Sequence, residues 1–468
     1  MPCLWPVLFK DSRQFCQLVK EIKLSSMRIP GIIAYTVIIL LISAVAISVT
    51  IVSKGSYKSS LYYRFTKQRF AWIVSDPFPK HAIEAGWAKV TIPPKEVAPP
   101  SADQLPHKRD SIQTRALVLD NGTTRAVMIT VDLQMMPPKV AQALEKRLPK
   151  LGFTWKNVYL GASYSQPSLG GWAEDYKGQQ YFGPYDQQLI DQLTECIIKA
   201  VELAQKNVST TQIGYTQIDV KDQQRPTLTP DATDKAPLHL VKLRKVTGES
   251  ALIYSTSAAL ITVDMASNPA NKPPLFSQLT QTIERQTRCF TLGLVGTIQF
   301  TKSPAYTARQ SVTQAKQIDA LAAQVAAAVA RQSLHTDSTL ITQTAPLIQN
   351  DPQIRISPHW RLKPWLAKTL YGNYNADLKA LRIGETVFLG YPGGLSSELA
   401  TDLLALPAAS NRQLVVTSYN GGNIGHIVPD AYYFAEKSPY ALDQMNRFGP
   451  YTAEFFEDMT QSLVTSLK

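Results

Sequence analysis

Residues 115–132 read Arg115-Ala116-Leu117-Val118-Leu119-Asp120-Asn121-Gly122-Thr123-Thr124-Arg125-Ala126-Val127-Met128-Ile129-Thr130-Val131-Asp132. Two apolar runs flank Asp-Asn-Gly, residues that tolerate the left-handed backbone of a tight reversal, so the stretch predicts a hairpin with strands at Thr114–Leu119 and Ala126–Val131. Working outward, a strand at Gly86–Ile92 leads into a proline-rich loop from Pro93 to Pro106. After the hairpin, Pro137-Pro138 opens a helix with Val140, Leu144 and Leu148 on one face. A strand at Val158–Ala162 and a helix over 187–206 follow. Further strands are expected at Leu238–Lys245, Ala251–Thr256, Cys289–Ile298, Lys379–Ile383, Thr386–Tyr391 and Gln413–Ser418. Helices are expected at 310–332, 396–405 and 452–467. Alternating strands and helices with some hairpins predict an α/β domain, a mixed β-sheet core flanked by helices.

The chain has 468 residues, 44% hydrophobic and 18% charged, with 23 Gly and 31 Pro. That composition excludes a disordered, collagen-like or disulfide-scaffold protein. No fixed-period repeat suggests a solenoid. The net charge of +12 comes largely from two places. Lys10, Arg13, Lys20, Lys23 and Arg28 precede an apolar run, and Lys54, Lys58, Arg64, Lys67 and Arg69 follow it. The rest of the chain is nearly balanced, which argues against a nucleic-acid partner.

Between those clusters, Ile32 to Val52 is uncharged and almost wholly apolar. At about 1.5 Å per residue such a stretch covers roughly 30 Å as a helix, the thickness of bilayer hydrocarbon. One transmembrane helix, an uncleaved signal anchor over residues 29–53, is therefore expected. A short cytoplasmic segment (1–28) precedes it, a basic and aromatic juxtamembrane segment (54–83) suited to lying at the headgroups follows, and a single domain spans 84–468. The expected location is the inner cell membrane, single-pass, with the C-terminal domain extracytoplasmic. Translation from Met27 would give a compact n-region in place of a start at Met1. Cys196 and Cys289 are available to pair in an oxidising compartment, but Cys196 falls on the apolar stripe of its helix, which favours burial as a small hydrophobe.

The histidines His81, His107, His239, His335, His359 and His426 are all widely separated, so no HxH, HxxxH or HExxH pair exists. Nucleophile-elbow, P-loop and GxGxxG motifs are also missing. What remains are three loops after expected strands: Ala162 to Gly171, Tyr391 to Glu398, and Tyr419 to His426. Carboxyl ends of strands are where open α/β sheets form ligand crevices, although turn chemistry alone also selects Gly, Ser and Asn.

At these loops, together with Ala85 to Pro94, Arg115 to Gly122 and Val131-Asp132-Leu133, the chain resembles the neutral/alkaline non-lysosomal ceramidases over about residues 84–460. The closing segments Asn420-Gly421 to Gly425, Pro429-Asp430-Ala431-Tyr432, Met445-Asn446 and Phe448-Gly449-Pro450 are similar in the same order. The resemblance implies an N-terminal catalytic-domain fold and a zinc amidase in which two histidines, a carboxylate and a tyrosine hold the metal. Here those positions carry other residues. The loop that bears the first histidines corresponds to Ser163–Gly171, placing Tyr164 at the ligand and Gln166 at the second histidine. The later histidine aligns with Ser257, the carboxylate with Gly394, although Glu398 is kept, and the tyrosine with Asn423.

Tyr, Ser, Gly and Asn offer no strong neutral-pH zinc donor, since a tyrosine must first lose a proton of pKa about 10. No metal or other cofactor is therefore expected. The resemblance with its ligands lost implies a membrane-anchored pseudoenzyme, a binding or scaffolding module for a lipid or peptide. The alternative is a hydrolase of linear amides, ceramidase-type, with a rebuilt site using Ser303, His426, Glu398 or Asp264.

Overall fold

The computed structural model describes residues 31–71, 78–93, 112–164, 170–221, 235–257, 275–298, 308–372, 376–404, 412–436 and 442–467. The chain opens with helix α1 (Gly31–Ser48), strand β1 (Val49–Ile51) and helix α2 (Leu61–Ala71). Then come β2 (Glu84–Ile92), β3 (Ile112–Asp120), β4 (Arg125–Val131), α3 (Pro138–Arg147), β5 (Val158–Ala162), α4 (Tyr176–Phe182) and α5 (Gln187–Gln205). A second series follows: β6 (Ser209–Lys221), β7 (Lys235–Lys245), β8 (Ser250–Thr256), α6 (Leu275–Thr287), β9 (Phe290–Val295), α7 (Ala308–Arg331) and β10 (His335–Thr336). The last series holds β11 (Leu340–Leu347), β12 (Trp360–Leu362), α8 (Pro364–Tyr371), β13 (Ala376–Ile383), β14 (Thr386–Gly390) and β15 (Gly394–Leu395). It closes with α9 (Ser397–Leu404), β16 (Gln413–Thr417), β17 (His426–Ile427), α10 (Asp430–Phe434) and α11 (Thr452–Ser466).

Two mixed sheets carry the domain, where the sequence suggested one. The larger runs β5-β4-β3-β2-β6-β7-β8-β9, with β10 added beside β6, and the smaller runs β11-β13-β14-β16. Strand alternation explains why they stack. Ala116, Val118, Val127 and Ile129 face helices α3 and α5, while their neighbours Leu117, Leu119 and Met128 face the other way. The smaller sheet does the same: Leu381, Phe388 and Val415 join Leu117 and Met128 in a core between the sheets, and Leu378, Val387, Leu389 and Val416 pack beneath α9 and α11. The result is a helix–sheet–sheet–helix stack, in which strands buried on both faces read as nearly continuous apolar runs.

The pairing pattern repeats. In β2-β3-β4-β5, in β6-β7-β8-β9 and in β11-β13-β14-β16, the first two pairings are antiparallel and the last is parallel. In each, a helix crosses from the third strand to the fourth and another follows the fourth: α3 and α5, α6 and α7, α9 and α11. The parallel pair needs that crossover. Each unit therefore places two adjacent strand carboxyl ends side by side, and these ends meet near the middle of the stack, where Tyr159 Oη and Thr417 Oγ1 are 2.5 Å apart and Ser418 N donates to Val295 O at 2.9 Å.

The N-terminal segment departs from its expected limits. The helix ends at Ser48, because β-branched Val49, Thr50 and Ile51 pair antiparallel with Leu362, Arg361 and Trp360. Side chains of α1 are exposed all round, including Tyr35, Leu40, Leu41 and Ile42. Among the described residues, no helix is long and apolar enough to cross a membrane; residues 1–30 lie outside them. A helix follows the apolar run at the place expected, α2, and it is built into the domain. Tyr57 and Phe70 belong to the α9–α11 core, Tyr57 Oη donates to Asp458 at 2.6 Å, and Ile348 N donates to Thr66 Oγ1 at 3.0 Å. Cys196 and Cys289 are both free thiols packed at the α5 side of the large sheet, and burial raises the pKa of each.

Candidate functional site

The residues that the sequence resemblance aligns with the family's ligand positions all lie at the strand ends of the three units. Ser163 and Tyr164 follow β5, Ser257 follows β8, Gly394 lies just beyond β14, and Asn423 lies beyond β16. Backbone bonds stitch these loops into one floor. Ser163 N donates to Val131 O at 3.1 Å, Gly296 N to Thr256 O at 2.7 Å, Tyr419 N to Gly393 O at 3.1 Å, and Gly421 N to Leu160 O at 2.6 Å. Ser418 is the central polar link: its hydroxyl donates to Gly296 O at 2.6 Å and accepts from Leu395 N at 3.0 Å. Ser257 Oγ donates to Thr297 O at 3.2 Å, and Ile298 N to Leu395 O at 2.7 Å, so the second unit touches the third directly beside Gly394.

The centre of this floor is filled by aromatic rings. Tyr164 and Tyr419 stack with centroids 5.4 Å apart and planes 8° from parallel. Tyr419 Oη lies 3.3 Å from His426 Nδ1, and the imidazole sits across from Gly394 in the short β15–β17 pairing. Both tyrosines hold positive φ, 55° and 54°, a conformation costly for residues with a Cβ and found most often where loops are shaped for a purpose. A Cβ placed on Gly394 would stand 2.6 Å from His426 Nδ1, 2.8 Å from Tyr419 Oη and 3.0 Å from Ile298 Cγ1. The space a carboxylate side chain would need at this position is already taken by the imidazole and the phenol.

Zinc does not fit this arrangement. The chain offers Tyr164, Ser257, Gly394 and Asn423 where donors are needed, and Asn423 Oδ1 is engaged as an acceptor from Gly425 N at 3.2 Å. Among the described residues, no three His, Cys, Asp or Glu side chains gather as a metal-binding group. Tyr419, the phenol nearest to His426, is pushed well above the usual tyrosine pKa by burial first and by Tyr164 second, so it stays protonated.

Among the described residues, His426 is the one histidine at the site, and sequence reading did single it out. Burial first, and then the positive charge of Arg447, push its pKa down to about 4, so the ring is neutral at neutral pH. A histidine that folding keeps neutral binds its proton more readily in the unfolded chain. Stability therefore rises with pH between about 4 and about 6.5 and is lost as pH falls through that window, by roughly 3 kcal/mol for this group alone. His239, beside Tyr215 at 2.9 Å, is also pushed down to about 4 by burial and adds to the same slope. Urea unfolding of His426→Gln from pH 4 to 7 should show a clearly shallower dependence than the parent; an unchanged slope would mean that His426 is not held neutral.

Glu398 lies in the first turn of α9 and accepts the Tyr432 hydroxyl at 3.1 Å, a contact that ties α9 to α10. Ser303, Gln166 and Asp264 lie outside the described residues. The feature missed in the sequence is Tyr419, recorded there only as the start of a glycine-rich loop. Its signal was weak: a large aromatic directly before Asn-Gly-Gly. Beside Asn423, a shallow pocket with room for a water molecule is lined by Ile354, Ala367, Tyr371, Asn423, Ile424 and Arg447. Tyr371 Oη donates to Asp443 at 3.1 Å there, and the Arg447 guanidinium lies over the Tyr371 ring at 5.4 Å.

A helix–sheet–sheet–helix stack with its loops gathered at the carboxyl ends of parallel strand pairs is an α/β architecture of the kind that forms ligand crevices at those ends. The sequence model described as "Neutral/alkaline non-lysosomal ceramidase, N-terminal" matches residues 107–226. Two solved structures share the fold over 83% of this chain and 75% of their own: one titled "Ceramidase complexed with C2", at 14% identity and a TM-score of 0.64, and the neutral ceramidase of Pseudomonas aeruginosa, at 15% and 0.62. No curated protein matches the chain. The chain thus resembles the neutral/alkaline ceramidases in sequence over that segment and shares the fold of the two solved structures.

Proposed function

We propose that this chain is a catalytically degenerate relative of the ceramidases, a binding or scaffolding module whose old crevice takes a lipid or peptide and carries no zinc. The observation that carries this reading is the filled centre: at Gly394 the imidazole of His426 and the hydroxyl of Tyr419 occupy the volume a carboxylate ligand would require. Without a metal, attacking water keeps a pKa near 15.7, and a general base alone supplies only about 10²–10⁴-fold, far short of what amide hydrolysis needs. The apolar segment ending at Ser48 holds the module at the membrane, with the domain on the extracytoplasmic side; the exposed side chains around α1 support that part of the reading.

The alternative, an amidohydrolase with a rebuilt site, is favoured by one feature, the two tyrosines at positive φ on facing loops. Turnover separates the two. Full-length protein in detergent, given a fluorescent short-chain ceramide and simple N-acyl amides, should release product no faster than buffer. Hydrolysis above background that is abolished by Tyr419→Phe or His426→Gln would overturn the degenerate reading in favour of the rebuilt site.

A further inference from the structure

The base of α1 is joined to the domain by a small face whose chemistry is that of a membrane contact. Strand β1 pairs with β12, Val52 N donates to His359 O at 3.0 Å, and Lys363 N donates to Ser48 O at 2.8 Å. Trp365 Nε1 donates to Ile47 O at 3.0 Å, and Arg361 Nε donates to Ile51 O at 3.1 Å. These bonds leave no slack between the end of the apolar helix and the domain. They also place two tryptophans beside that end, Trp360 at 47% exposure and Trp365 at 52%.

A large indole left half in solvent is costly to leave unpartnered, and indoles with one apolar side and one polar tip concentrate where water meets lipid. Arg361 and Lys363 lie between the two tryptophans on β12 and at the start of α8, and Lys368, further along α8, pairs with Asp351 at 3.1 Å. Long basic side chains can lay their stems along apolar surface while the charged ends meet phosphates. We infer that the β12–α8 face, through Trp360 and Trp365 with Arg361 and Lys363, docks onto an anionic phospholipid surface and fixes the orientation of the domain on the membrane. The inference rests on the reading that α1 is embedded in a bilayer; the continuity of the face with the exposed apolar surface of α1 is what selects lipid over a protein partner. One consequence concerns the crevice. Helix α8 has 8 residues and so spans about 12 Å, and its inner side supplies Ala367 and Tyr371 to the pocket beside Asn423. The docked face and the crevice are thus two sides of one short helix, which brings the crevice within reach of the headgroups.

The test uses the full chain reconstituted in phosphatidylcholine vesicles containing phosphatidylglycerol, with a dibrominated phosphatidylcholine as a quencher of nearby indoles. Flotation reports whether the chain is held by the bilayer; bromine quenching reports whether this face meets it. The parent should float, and Trp360→Phe/Trp365→Phe should float equally but lose at least half of the quenchable emission. Should the double variant fail to fold by circular dichroism, Trp360→Phe alone should lose at least a quarter. A chain that does not float overturns the anchoring reading and this inference with it. A chain that floats with quenching unchanged by the substitutions overturns the docking face and leaves the anchor standing. In vesicles of phosphatidylcholine alone, the difference between parent and variant should shrink at least twofold; an equal difference would mean that anionic headgroups are not the partner.

Discussion

Substituting Gly394 by Glu, the change that would place a carboxylate at the aligned position, is expected to destabilise the protein and to leave it without zinc. The Cβ alone would stand 2.6 Å from His426 Nδ1 and 2.8 Å from Tyr419 Oη, inside van der Waals contact with a partly buried imidazole and a buried phenol. Overpacking of this kind costs about 1–3 kcal/mol, and a carboxylate adds its own desolvation. Gly394→Ala separates the two contributions: it carries the steric cost without the charge, and its urea midpoint should fall between those of the parent and Gly394→Glu. A midpoint for Gly394→Ala equal to that of the parent would show that the centre has room, and the argument from packing would fail.

A larger effect is expected at Asp132, in the Val131-Asp132-Leu133 segment that carries part of the family resemblance. Arg115 Nη1 lies 3.3 and 3.2 Å from the two carboxylate oxygens, and Nη2 donates to Gln113 Oε1 at 2.7 Å. The two charged side chains are 1% and 3% exposed, so neither has water as a substitute partner. Asp132→Ala strands a buried guanidinium and should cost about 3–5 kcal/mol, whereas Arg115→Met combined with Asp132→Leu should cost much less, because no charge is left behind. Urea unfolding of the single and double variants checks both statements. If the single variant unfolds like the parent, the pair is not buried as described.

Much of the fold was legible because the relevant physics is local. The hairpin around Asp120-Asn121-Gly122 appears as Ile112–Asp120 paired with Arg125–Val131, and the turn works as its residues predict: Gly122 holds a positive φ of 79°, and Asn121 Oδ1 accepts from Thr124 N at 2.7 Å. Helices with strong apolar stripes, such as Gln187–Gln205 and Thr452–Ser466, fall within a residue or two of expectation. Strand β6 was missed because Ser209 to Lys221 is rich in Thr and Gln and lacks a clean alternation; pairing with β7 along its length creates it. Strand β11, Leu340–Leu347, was missed for the same reason; α8, PWLAKTLY, has only 8 residues and so shows barely two turns of helical period, and α6, Leu275–Thr287, was missed despite its apolar stripe.

Long-range order was not legible. Two stacked sheets require strands apolar on both faces, a pattern visible in Ala126–Val131, but nothing local says whether a helix or a second sheet covers each face. The recurring strand order of the three units is carried by register and crossover, not by residue identity, so no repeat appears in the sequence. The end of α1 at Ser48 likewise depends on a partner strand more than 300 residues away. At the site, the three loops were found from their glycines and their place after strands. The stacking of Tyr164 on Tyr419, which fills the centre, follows only from how β5 and β16 meet.

The central claim, that this ceramidase fold holds no catalytic zinc, is tested most directly by metal analysis. Full-length protein purified in detergent is loaded with excess zinc, passed through a desalting column and measured for zinc per chain beside a ceramidase that retains its ligands. If Tyr164, Ser257, Gly394 and Asn423 stand where the donors would be, as the resemblance implies, the bound zinc should be far below one per chain. One zinc per chain surviving the column, and lost on His426→Gln, would contradict the claim and place a metal beside the imidazole.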